Sequence, residues 1–158
     1  MGNLVTASLI DGIGLRNPDN TINGISAWYA PNCTKAIGAV CSAAVMMDDG
    51  SYSIIYDDLF NGISDKAKEY VIAHELGHIE NKDKTMTSKE LLVYLLACNL
   101  WVPKIEFKAD LKAAKRMGFK KCLAGMREFS KSLGISGQIQ LYRRIVALTA
   151  HYIIKEVV

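Results

Sequence analysis

Hydrophobic and polar positions are arranged differently in the two parts of the chain. Up to about residue 62 the apolar runs are short and broken by turn formers, whereas from Ser64 onward apolar positions recur at helical spacing. Residues 11–24 hold Gly12, Gly14, Pro18, Asn20 and Gly24, all breakers of regular structure. Ser26 to Ala30 is long enough for a short strand. Ser42 to Met47 and Ser51 to Tyr56 are strand-like runs joined by Asp48-Asp49-Gly50, and Asp-Gly at such a junction predicts a hairpin.

The helical part is punctuated by caps. Ser64 can cap a helix running to about Glu80. Thr87 with Glu90 forms a capping box for a helix ending near Trp101. The apolar run Leu91 to Val102, interrupted by Asn99 and closed by Pro103, is too short for the roughly 18 residues of a membrane span and reads as a buried helix. Pro103 suits the first turn of the next helix, which Gly118 ends. Lys120 to Ser132 forms another, closed by Gly134. Ser136 can cap the last, with Ile139, Ile145, Leu148, Tyr152 and Ile153 as its apolar positions. A small mixed or antiparallel sheet followed by a helical half predicts an α+β fold: one domain over 1–158, strand-rich over 1–62 and helical over 63–158.

Composition narrows the function. The 158 residues, half hydrophobic and 22% charged, suffice for one domain with its own core. A net charge of +3, with Lys and Arg dispersed along the chain, argues against a nucleic-acid partner. Cys33, Cys41, Cys98 and Cys122 contain no C-x-x-C pair and read as reduced thiols, the expectation for a cytoplasmic protein. Met1-Gly2-Asn3-Leu4-Val5 lacks the basic start and long apolar stretch of a signal peptide, and Gly2 with Thr6 fits only the loose myristoylation pattern.

The chemistry concentrates at His74-Glu75-Leu76-Gly77-His78, an H-E-x-x-H motif. On a helix, His74 and His78 lie one turn apart on one face, so both imidazoles can bind a single metal ion. Glu75 sits one position round and is suited to accept a proton from a water rather than to share the metal. Val71-Ile72-Ala73 and Leu76 make this a buried helix, where two imidazoles and a carboxylate need partners. Gly77 costs a helix about 1 kcal/mol against Ala and suggests close packing behind the motif.

A catalytic zinc needs a third protein ligand. Glu106 is a better candidate than the distant His151. Glu106 and Asp110 are again i and i+4, so one carboxylate can bind metal while the other accepts the free N–H of a ligand histidine.

These stretches resemble the gluzincin metallopeptidases of the HtpX and CaaX prenyl protease family. The resemblance rests on Ala73 to Asp83 around the histidine motif and on Glu106-Phe107-Lys108-Ala109-Asp110-Leu111-Lys112-Ala113-Ala114, similar to the family's E-F-x-A-D-x-x-A. It rests more weakly on Ser42-Ala43-Ala44-Val45 with the Ile54-Ile55 strand, similar to the edge strand before the family's active-site helix. It covers roughly residues 40–132 and implies a zincin-like fold. The ImmA/IrrE type, with a histidine motif and a downstream Glu, is related in logic. Family members usually carry membrane helices, which this sequence lacks.

The resemblance implies Zn2+ held by His74, His78 and Glu106, with Glu75 as general base and Asp110 supporting His74. It further implies a downstream oxyanion stabiliser, for which Tyr142, His151 and Tyr152 are candidates that no spacing separates. Ser42, Ala43, Ala44 and Val45 would form the substrate-binding strand. The expected function is a zinc-dependent endopeptidase on peptide or protein substrates. The alternatives are a regulatory ImmA/IrrE-like protease cutting one partner and a non-catalytic zinc-binding domain. The oligomeric state is not legible in the sequence.

Overall fold

The computed structural model describes residues 20–30, 41–47, 50–83, 93, 94, 96, 97 and 100–157. Four strands form one mixed sheet: β1 (Asn20–Ile22), β2 (Ile25–Tyr29), β3 (Ser42–Met46) and β4 (Tyr52–Tyr56), in the order β1-β2-β4-β3. β1 and β2 are antiparallel and joined by Asn23-Gly24, whose φ values of 51° and 79° are both left-handed. That is what a tight two-residue hairpin requires, so these turn formers mark a reversal between strands. The Ser42–Tyr56 hairpin forms with Ala44 opposite Ile54, while β2 runs parallel to β4 on its other side. β3 is therefore an edge strand.

The helices are α1 (Asp58–Gly62), α2 (Asp65–Glu80), α3 (Lys104–Met117), α4 (Phe119–Ser130) and α5 (Ile135–Val157). The short α1 has no sequence period to announce it; the Asp57 carboxylate caps it by accepting from the N–H groups of Leu59 and Phe60. Ser64 caps α2 by accepting from the Ala67 N–H. Gly118, at φ 86°, ends α3. α5 starts at Ile135, one residue ahead of the expected Ser136 cap, because the Gly134 carbonyl already accepts from the Gln138 N–H.

α2 is the hub. Residues 73–78 are all buried, because α3, α4 and the edge strand β3 pack around this end of the helix. Two glycines allow that approach. A Cβ on Gly77 would lie 2.7 Å from the Ala109 carbonyl oxygen of α3, and one on Gly125 of α4 would lie 2.6 Å from Tyr70 Cβ and 2.8 Å from the Lys66 carbonyl oxygen. The main core, including Tyr70, Met126, Phe129, Leu141 and Leu148, lies among the helices; a smaller one around Trp28, Ala43, Val45 and Ile55 covers the sheet.

Some apolar expectations are corrected. In the run Leu91 to Val102, Tyr94 is buried but Val93, Leu96, Leu100 and Trp101 are more than half exposed, so the run's described residues are not enclosed. On α5, Leu148 is buried and Ile145 and Tyr152 pack on the core, while Ile139 and Ile153 lie on the opposite, exposed side. Cys41 and Cys122 are buried free thiols, and burial pushes the Cys122 thiol up to about 12. Cys33, Cys98, the Thr87–Glu90 box, Asp48, Asp49 and the Gly2/Thr6 pattern lie outside the described residues. Among those described, no helix is long and apolar enough to cross a membrane.

Candidate metal centre

α2 supplies His74 and His78 one turn apart, and α3, closing on Gly77, supplies Glu106 and Asp110. All four are buried, with His78 and Asp110 fully inaccessible. The two Nε2 atoms face each other at 3.0 Å. Glu106 Oε2 lies 3.2 Å from His74 Nε2, and its Oε1 lies 3.6 Å from His78 Nε2. Ligand atoms from these three residues fall within 4.8 Å of one another.

Each imidazole is held from behind. His74 Nδ1 lies 2.9 Å from Asp110 Oδ1, and His78 Nδ1 lies 2.8 Å from Asp83 Oδ2. A carboxylate accepting the Nδ1–H leaves Nε2 with its lone pair, so both rings present acceptors to the same point. Two facing acceptors are no partners for each other; Arg144 Nη2 of α5 approaches His74 Nε2 at 3.3 Å and Nδ1 at 3.0 Å, and a cation between the rings would engage both histidines. Asp83 reaches His78 because the chain reverses straight after α2: Lys82 adopts φ 53° and the Asp83 N–H returns to the His78 carbonyl.

α5 contributes Arg144, a residue the sequence reading missed. Its side chain is 11% exposed and donates to Asp110 through Nε (2.8 Å) and Nη2 (2.6 Å) and to the Tyr70 hydroxyl (2.7 Å), which itself donates to Asp110. Nη1 lies 2.9 Å from Glu106 Oε2 without hydrogen-bond alignment, and that oxygen has no hydrogen-bond partner among the described residues. Tyr94, also missed, donates to Glu106 Oε1 at 2.5 Å. Neither had a spacing to reveal it: Arg144 sits 34 residues beyond Asp110, beside the equally basic Arg143.

Burial alone would raise the carboxyls of Glu106 and Asp110, but the Arg144 guanidinium, with His74, holds both well below the usual range. Burial and Arg144 disfavour the charged form of His74, yet the hydrogen bond to Asp110, its negative charge and the nearness of the Glu106 carboxylate outweigh them and raise it. Counted formally with both imidazoles neutral, as metal ligation requires, Glu75, Glu106 and Asp110 against Arg144 leave two buried negative charges, which a divalent cation would balance.

Glu75 is turned toward the sheet. Its Oε1 accepts from the Ser42 hydroxyl and its Oε2 from the Ala44 N–H, both at 2.8 Å. Ser42, Ala43, Ala44 and Val45 are buried along β3. Tyr142 is 66% exposed on α5, whereas His151 and Tyr152 pack on Phe107 and Phe119; the structure does not bring these three to the cluster.

A model of peptidase family M48 matches residues 43–136, more than half of the sequence. The chain belongs to peptidase family M48. No match to a curated protein or to a solved structure accompanies it. The M48 match begins inside β3 and ends at the start of α5, so it spans Glu75, both histidines, Glu106 and Asp110 but stops short of Arg144. As a member of this family the protein is a metallopeptidase of zincin-like α+β fold, acting on peptides or proteins, and its His/His/Glu group is suited to a metal.

Proposed function

We propose that this M48 member is a zinc-dependent endopeptidase whose metal is held by His74, His78 and Glu106. The observation that carries the reading is the pair of Nε2 atoms 3.0 Å apart, each ring fixed by its own carboxylate, with Glu106 Oε2 beside them, ion-paired to Arg144 but lacking a hydrogen bond among the described residues. Two nitrogens and a carboxylate oxygen fit the three-protein-ligand set of catalytic zinc. Bound there, zinc would polarise a scissile carbonyl and make a water acidic enough to ionise near neutral pH.

The rest is the work of this chain's own residues. Glu75 is the general base: Ser42 and Ala44 each occupy one lone pair of its oxygens, so the carboxylate is aimed but keeps capacity for a proton. The same proton can then pass to the leaving amine. Asp83 and Asp110 fix the histidine tautomers. Arg144 holds Asp110 and lies beside Glu106, where a guanidinium can also stabilise negative charge developing on the substrate oxygen. Since a strand residue points its N–H and C=O the same way, the Ala44 carbonyl faces away from β4 with its N–H, the side on which a substrate N–H would pair once this buried strand is uncovered.

Unfolded casein digested with and without a chelator, beside Glu75→Gln, tests this reading. Cleavage should need metal and vanish in the variant while metal binding persists. Chelator-insensitive cleavage would refute it. One observation favours the narrower reading of a regulatory protease cutting a single partner: His74, Glu75, His78 and Glu106 are each no more than 3% exposed, so a substrate carbonyl enters only after the site opens. Casein left intact alongside a metal-dependent cut in one partner protein would select that reading.

A further inference from the structure

α3 bears a second charged face. Lys108, Lys112 and Lys115 follow one another at i, i+4 and i+7, on the side of the helix turned away from Glu106 and Asp110. Across from them α5 brings Lys155, and Asn81 closes one end where α2 stops. Between these elements lies a cleft of about 550 Å³, floored by Leu111 and by Tyr152, whose ring stacks on Phe119 at 4.2 Å.

Among the described residues the lining is one-sided chemically: four lysines, the Asn81 amide, the His151 ring and Tyr152 line the cleft, and no carboxylate among them does. Lys112 is paired with Glu80, which also takes Arg116. Lys108, Lys115 and Lys155 have no ion pair among the described residues. The Asn81 Nδ2 is buried and lacks an acceptor among them. Unpaired cations sharing one concavity repel each other and focus a positive potential, a cost that a bound anion reverses. The volume falls in the range of small-ligand sites, roughly 300–1,000 Å³.

The walls decide the kind of anion. Among the described residues they are the helices α3 and α5 with the end of α2, so they offer no strand edge on which an extended acidic peptide could pair. Lysines placed as separate point charges suit a compact, multiply charged phosphate. We propose that this cleft binds a polyvalent phosphate anion, either free or on a phosphorylated lipid headgroup. The site is independent of the metal centre, on the other face of α3.

The test is calorimetric titration of the full chain with tripolyphosphate in low salt, together with flotation on phosphatidylcholine vesicles with and without a phosphoinositide. Lys115→Glu/Lys155→Glu is compared with Lys66→Glu/Lys131→Glu, which changes the net charge equally elsewhere. All three proteins keep the metal cluster, so heat from metal chelation is common to them. The expected result is saturable binding weakened at least tenfold by the cleft variant and little by the control. Vesicle capture that depends on the phosphoinositide and is tighter than tripolyphosphate would assign the lipid source; tripolyphosphate binding without capture would assign the free anion. No saturable binding of either, equal loss in both variants, or a glutamate-rich peptide binding as tightly as tripolyphosphate would overturn the proposal.

Discussion

The Ser42 hydroxyl donates to Glu75 Oε1 at 2.8 Å, tying the edge strand β3 to the carboxylate that follows the first histidine of the motif. Both residues are buried, so the bond is shielded from water. Ser42→Ala leaves Glu75 held by the Ala44 N–H alone. A hydrogen bond to a charged group contributes about 1.5–3 kcal/mol, so kcat should fall roughly 10- to 100-fold. Metal content should not change. Steady-state kinetics with metal analysis would check this, and a variant with wild-type kcat would show that Ser42 does not aim the base.

Asp83 and Asp110 perform the same service for different histidines, one at His78 Nδ1 and the other at His74 Nδ1. Asp83→Asn and Asp110→Asn should each weaken zinc affinity by roughly 10- to 100-fold. Competition titration against a chromogenic chelator measures it. If Asp83→Asn binds zinc as tightly as the parent, His78 is oriented by its packing and not by the carboxylate.

Gly77 is a packing requirement. A methyl group there would meet the Ala109 carbonyl at 2.7 Å, and backbone cannot yield as a flexible side chain does. Gly77→Ala gains helix propensity but forces α2 and α3 apart, with a net loss of about 1–3 kcal/mol. It should also loosen zinc binding, because the two helices carry the ligands. Urea unfolding at neutral pH decides; a stabilised variant would contradict the close approach.

Acid sensitivity follows from Arg144. It holds Asp110 and Glu106 ionised despite burial, so their folded pKa values lie below the unfolded ones. Such groups contribute their full stabilisation above the unfolded pKa, about 4, and lose it as pH falls below that value. The urea midpoint of metal-free protein should therefore drop from about pH 4 downward, and Asp110→Asn should show a shallower drop. An identical acid profile in the variant would exclude this linkage.

Much of the fold and part of the site was legible because it rests on local pattern. Ser64 and Gly118 act on their immediate neighbours, and the i, i+4 pairs His74/His78 and Glu106/Asp110 need only helical periodicity to share a face. Arg144, Tyr94 and Asp83 were not legible. Arg144 and Tyr94 reach the cluster through tertiary packing, and Asp83 through a left-handed Lys82 that no sequence rule demands. The Asn23-Gly24 hairpin was legible in principle but was hidden among neighbouring breakers. The exposure of Val93, Leu96 and Trp101 depends on which side of a largely apolar stretch meets the core, and composition alone does not choose it.

The central claim is that His74, His78 and Glu106 together hold one zinc ion. Elemental analysis of protein purified without chelators, repeated on Glu106→Gln, tests it most directly. About one zinc per chain is expected for the parent, with Glu106→Gln retaining a small fraction of it under the same purification, since one of three protein ligands is gone. Less than half an equivalent in the parent with no uptake from added zinc, or a full equivalent in Glu106→Gln, would contradict the account.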